Sequence, residues 1–205
     1  MEYSLIMPIT INGSGTVTGI SAGGLPDSCI TTDDIAANAV TAAKLAAGAG
    51  GKILQVVQSV KSDQASLNST TMADISGLSA SITPASTANK VLILVDFKFG
   101  GAGTGAALNL LRGSTNLYQG SGANSRTAYT HMIYGFSDTG SAYYGCSTEA
   151  ICFLDSPSTT SSTTYKIQGL VFNASYPMTI NYPIYDTSQY KASVASSITL
   201  MEVAA

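Results

Sequence analysis

The side chains in this 205-residue chain that could do chemistry are few and widely spaced. A single histidine, His131, stands inside RTAYTHMIYGF, a segment that reads as a strand. Acyl transfer by a serine and a base would have to use it, yet no G-x-S-x-G sequence stands on a strand-to-helix turn. His131 is therefore expected to be a hydrogen-bonded structural residue. Cys146 and Cys152 taken with His131 make at most an incomplete zinc site, since neither CxxC nor HxxxH spacing occurs. Asp33 and Asp34 read as a helix cap or a solvated turn rather than a calcium site. Glycoside cleavage needs two carboxylates on one cleft face, and Asp138, Glu149 and Asp155 are too isolated to suggest a pair. The glycine-rich stretches GSGTVTG and GGAGTG lead into no phosphate-binding lysine or helix and read as turns. The sequence predicts no catalytic residue, no cofactor and no metal, and a protein that is not an enzyme.

Recognition fits these residue types better. Tyrosine is the dominant aromatic, concentrated in the second half of the chain, and a loop tyrosine offers a flat apolar face plus a hydroxyl. Most of the tyrosines are expected to fill a core or a subunit interface. A recognition surface is expected around Tyr143 and Tyr144 or in NYPIYDTSQY, which carries Tyr182, Tyr185 and Tyr190. Charged residues make up 10% of the chain, against about 25% in an average soluble protein. A neutral, hydroxyl-rich surface of this kind implies coverage by like subunits. The net charge of -3 leaves no basic footprint for nucleic acid, and the scattered Lys and Arg argue against anionic membranes. No stretch approaches the roughly 20 apolar residues of a membrane-spanning helix. MEYSLIMPI has an acid where a secretory signal needs positive charge, so assembly in a cytoplasm is expected. In that setting the three cysteines are expected as free thiols.

Two regions must position these residues. The first, residues 1–50, is nearly uncharged between residues 9 and 47 and has no aromatic residue there. Ile30, Ile35, Val40 and Leu45 recur every fifth position, a spacing that gives one apolar face in neither a helix nor a strand. Such a segment cannot bury itself in its own core and is expected to order against another chain. Asp33 and Asp34 could cap a short Ala-rich helix over 35–45, the alternative being an extended arm with turns.

The second region, residues 51–205, reads as short strands separated by turn clusters. The clearest is 90–99, KVLILVDFKF, where Val91, Ile93, Val95, Phe97 and Phe99 share one face. Others are expected at 52–60, 71–75, 79–83, 106–112, 126–136, 147–154, 163–173, 178–182 and 196–203. Together they predict an all-β, antiparallel sandwich, a jelly roll, with an extended or partly helical N-terminal arm. An immunoglobulin-like sandwich is second, lacking its buried Trp.

GSGTVTGISAGGLPDS followed by TDDIAANAVTAAKLAA resembles the N-terminal segments of tailed-bacteriophage virion proteins, the tail fibres, head fibres and decoration proteins. SITPASTANKVLILV and ASSITLMEV resemble the trimeric jelly-roll heads of such proteins. The resemblance implies a homotrimer located in the virion, assembled in the host cytoplasm and attached to the major capsid protein or another virion protein. It carries no catalytic residue. It implies that Ile9, Ile11, Val17, Ile20, Leu25, Ile30, Ile35, Val40 and Leu45 make the attachment or trimer contacts. With no long repetitive shaft, a capsid decoration (cement) protein is favoured over a short tail or head fibre that recognises a host surface glycan. A secreted lectin would leave the arm unexplained. If three copies packed the sheet holding the strands at 52–60 and 196–203 around an axis, its outward apolar residues would be covered.

Overall fold

The computed structural model describes residues 33, 35–37, 39–41, 44, 51–101, 103–134, 145–184 and 191–205. The chain separates into two units, Met1–Gly50 and Gly51–Ala205. Among the described residues of the first unit, the Ala39 amide donates to the Ala36 carbonyl and the Lys44 amide to the Thr41 carbonyl, both at 2.9 Å. These are steps of three residues, tighter than an α-helix. Ile35 and Val40 are exposed. The other expected attachment residues, Ile9, Ile11, Val17, Ile20, Leu25, Ile30 and Leu45, lie outside the described residues.

The second unit is all-β. Its strands are β1 (Ile53–Lys61), β2 (Ala65–Leu67), β3 (Ala73–Ile82), β4 (Lys90–Gly101), β5 (Ala106–Arg112) and β6 (Thr115–Leu117). They continue with β7 (His131–Ile133), β8 (Ser147–Asp155), β9 (Thr163–Val171), β10 (Met178–Ile180) and β11 (Ser196–Val203). All pairings between these strands are antiparallel. A six-stranded sheet runs β1-β11-β4-β10-β2, with β8 on the other edge of β4. A five-stranded sheet runs β3-β9-β5-β6, with β7 also on β5. The two sheets curl into a half-barrel.

Strict alternation decides which face of each strand is inside. Val91, Ile93, Val95, Phe97 and Phe99 of β4 are all buried, as the pattern of KVLILVDFKF requires. They meet Leu108 and Leu110 of β5, Tyr165 and Ile167 of β9, and Ile198 and Leu200 of β11 in one core. The first long strand and the last pair with each other, Val56 opposite Met201 and Val60 opposite Ser197.

Hydrogen bonds and ion pairs stitch the sheets together along both edges. On one side Gln55 Nε2 donates to the Thr83 carbonyl at 2.7 Å and Ser59 Oγ to the Gly77 carbonyl at 3.0 Å, joining β1 to β3. On the other, His131 Nε2 of β7 meets Glu149 Oε2 of β8 at 2.8 Å. Beside that contact the Tyr118 and Phe153 rings stack with centroids 5.2 Å apart.

Candidate functional site

Of the acids that the sequence left isolated, Glu149 and Asp155 are tied to partners on other strands, and Asp138 lies outside the described residues. Glu149 is held by His131 across the sheet seam, so the histidine has the structural hydrogen bond expected of it. Asp155, buried, accepts from Arg112 at 2.7 Å and from the Tyr165 hydroxyl at 2.7 Å. Burial first, and then its bond to Asp155, pushes the Tyr165 phenol well above its ordinary range. Glu202 is 1% exposed and accepts from Gln55 Nε2 at 2.6 Å, Asn89 Nδ2 at 2.6 Å and the Ala85 amide at 2.7 Å. Burial works to raise its pKa, but the bonds from Gln55, Asn89 and Ala85 together outweigh it and leave the carboxyl below its ordinary range. Asp155 and Glu202 flank Val91 on adjacent strands. Both oxygens of Glu202 and Oδ2 of Asp155 are committed to these donors.

A shallow depression of about 480 Å³ lies beside the β3 bulge, lined by Asp74, Ser76, Gly77, Ser79, Thr164 and Lys166 among others. Its charges answer one another. Asp74 accepts from Lys166 at 2.9 Å and Gln168 at 2.7 Å, and these two bonds, Lys166 first, hold its carboxyl below the ordinary range. Among the described residues no three His, Cys, Asp or Glu side chains gather to hold a metal ion. Cys146 and Cys152 are free thiols, and burial raises the Cys146 pKa. No helix among the described residues is long and apolar enough to cross a membrane.

What the second unit does present is an apolar outward face on the six-stranded sheet. The register aligns Val56, Met201, Leu92 and Leu154 in one row across β1, β11, β4 and β8. The next row is Gln58, Thr199, Leu94 and Cys152. Val56 is 56% exposed and Leu154 46%. Ile53, Leu54 and Val60 extend the patch along β1, all exposed. Charges stand at both ends of it on β4, exposed Lys90 in the row of Ile53 and Val203, and Asp96, paired with Lys98 at 2.5 Å, in the row of Val60. Gln58 donates to the Thr199 hydroxyl at 2.8 Å within the second row, and the apolar side chains around this pair form a patch of the kind that commonly marks an interaction surface.

No protein-family model matches the chain, and no curated protein matches it either.

Of the expected recognition tyrosines, Tyr182 lies among the described residues. Tyr143, Tyr144, Tyr185 and Tyr190 lie outside the described residues. Tyr182 is half-buried beyond the end of β10, where its carbonyl crowds Gly100. Sequence reasoning missed the members of the apolar face on β8, Leu154 and Cys152. Their signal was present in β4, whose Leu92 and Leu94 fall opposite the core face, but nothing in the sequence tells which strand lies beside β4.

Proposed function

We propose that the protein is a non-enzymatic, homotrimeric structural component of a tailed-bacteriophage virion, a capsid decoration protein. Its N-terminal segment attaches to the major capsid protein, and its sandwich, of jelly-roll type, packs three copies about an axis. The observation that carries the self-association is the row Val56–Met201–Leu92–Leu154 with its neighbours on β1. The rows span about 14 Å across four strands, and residues 53–60 give roughly 23 Å along β1. That is an apolar centre for an interface whose usual extent is about 800 Å² per partner.

Two further features support this reading. The chain crosses between sheets at β2 to β3, β3 to β4, β4 to β5, β7 to β8, β8 to β9 and β9 to β10, and the first strand lies beside the last, which supports the jelly-roll type. The segment at 9–47 carries the resemblance to phage attachment arms. Three weak arms on one trimer bind a repeating capsid surface with the gain that multivalency gives.

Purified virions test the placement. Decoration predicts hundreds of copies per particle, and a few dozen or fewer would instead make it a fibre. Deleting residues 1–48 is expected to leave a folded trimer that no longer joins the virion. A monomeric product would show that the arm, not the sheet, holds the trimer together.

A further inference from the structure

The outward face of the five-stranded sheet carries a surface of a different kind, at the end where β5 begins. The register sets Leu170 beside Ala107 and Ala107 beside Met132. One step further along, the Phe172 amide donates to the Gly105 carbonyl at 3.0 Å. On the other flank Tyr134 follows the buried Ile133, which pairs with Ala106. Gly105 has φ +121°, and a Cβ there would come within 2.9 Å of Phe172 Cδ2 and 3.2 Å of Cε2. The Phe172 ring therefore lies across the bare glycine. The Tyr129 ring meets it at 59°, with centroids 6.4 Å apart, so the two rings form a corner. Phe172 is 43% exposed, Met132 54% and Tyr134 80%.

The residues of this corner are all uncharged. Two rows further along the sheet Asn109 pairs with Gln168, Gln119 donates to Asn109 at 3.1 Å and Gln168 to Asp74 at 2.7 Å, so these amides are bonded within the chain. Ring faces that carry their own phenol hydroxyls, as Tyr129 and Tyr134 do, suit a ligand with one apolar face and a neutral hydrogen-bonding edge. The size points the same way. Three strands and two residue steps give roughly 10 Å by 7 Å, far below the about 800 Å² per partner that a stable protein contact needs. That footprint is one sugar ring.

We propose that the Phe172–Tyr129 corner with Tyr134 is a binding site for a neutral hexopyranose, the ring C–H face stacked on Phe172. The site lies on the opposite sheet from the apolar rows and does not depend on the trimer reading.

Saturation-transfer NMR on the full chain tests it, with the methyl glycosides of glucose, galactose, mannose and N-acetylglucosamine as probes. At least one is expected to receive transfer, strongest at the C–H groups of one ring face. Tyr134→Ala and Phe172→Leu are expected to weaken that sugar by about tenfold. Phe172→Leu keeps apolar bulk over Gly105, so an intact strand spectrum with lost transfer identifies the ring as the binding element. Absence of transfer to all four sugars overturns the assignment, as does transfer unchanged in both variants. A change of sedimenting mass in Tyr134→Ala would also overturn it, making the row a contact between copies.

Discussion

Glu202 sits inside the sandwich with both carboxylate oxygens facing donors. Three N–H groups converge on it, one from β1 and two from the connection between β3 and β4, so its ionised form is favoured despite burial. Its pKa in the folded chain is below the ordinary value. The stability it contributes is therefore present above about pH 4.3, where the unfolded chain is also ionised, and is lost as pH falls through the depressed folded value. Glu202→Gln sets an amide NH₂ against at least one of these donors, and we expect it to cost about 1–3 kcal/mol at pH 7. Urea denaturation at pH 7 and pH 3.5 checks this, because the gap from the parent should narrow in acid. A gap independent of pH would mean that the charge contributes nothing. Asn181 does comparable work in neutral form. It adopts φ 66°, which asparagine tolerates. From there its Nδ2 donates to the Lys61 and Asp63 carbonyls, and its Oδ1 accepts from the Ser196 hydroxyl. These partners are more than 100 residues away in several cases, which is why the acids and amides looked isolated in the sequence.

At the scale of elements, the long strands were legible and the short ones were not. β11 occupies the expected residues because its alternation runs unbroken, and β5, buried on both faces, because clear turns bound its apolar run. The runs at 71–75 and 79–83, read as two strands, are one strand, β3. Asp74 pairs with Gln168 while Ser79 pairs with Lys166, so β3 bulges over the intervening residues and rejoins the ladder. Gly77, at φ +85°, is where the bulge turns. Of the strand expected over 126–136, His131–Ile133 is strand among the described residues, and 135–136 lie outside them. There the Thr130 amide is shared by the Leu108 carbonyl at 3.1 Å and Asn109 Oδ1 at 3.2 Å, and its hydroxyl donates to the Leu117 carbonyl. Side-chain bonds of that kind hold the preceding loop and carry no periodicity. β2 and β6, three residues each, are too short for alternation to register. The far end of β4 offers a test of close approach between elements. A Cβ on Gly100 would lie 2.1 Å from the Tyr182 carbonyl oxygen and 2.6 Å from Pro183 Cα. Both are backbone atoms, and Gly100 bridges Pro183 directly. Gly100→Ala is expected to cost about 3 kcal/mol in urea denaturation through forced separation of these segments. A loss below about 0.5 kcal/mol would show that the crossing is loose.

For the whole molecule, the two outward faces differ in kind: one broad and aliphatic, the other small and aromatic. If the aliphatic rows join copies, a charge there is buried without a partner in each of three subunits. Val56→Asp and Leu154→Asp are therefore expected to sediment as monomers with unchanged strand content by circular dichroism. Both positions are half open in the single chain, so the fold itself should accept them. Trimers persisting in both variants would place the contacts elsewhere. The pairing of β1 with β11 also sets an order of events during synthesis. β11 lies between β1 and β4, and β1 has no other strand partner in its sheet. Until residues 196–203 leave the ribosome, two apolar strand edges stay open, and the pairing that closes them is among the most non-local in the chain. The rows on β1, β11, β4 and β8 come into register only then. If copies recognise each other through these rows, a truncated product stopping before β11 would lack that surface, and the fold itself would keep incomplete chains out of the assembly.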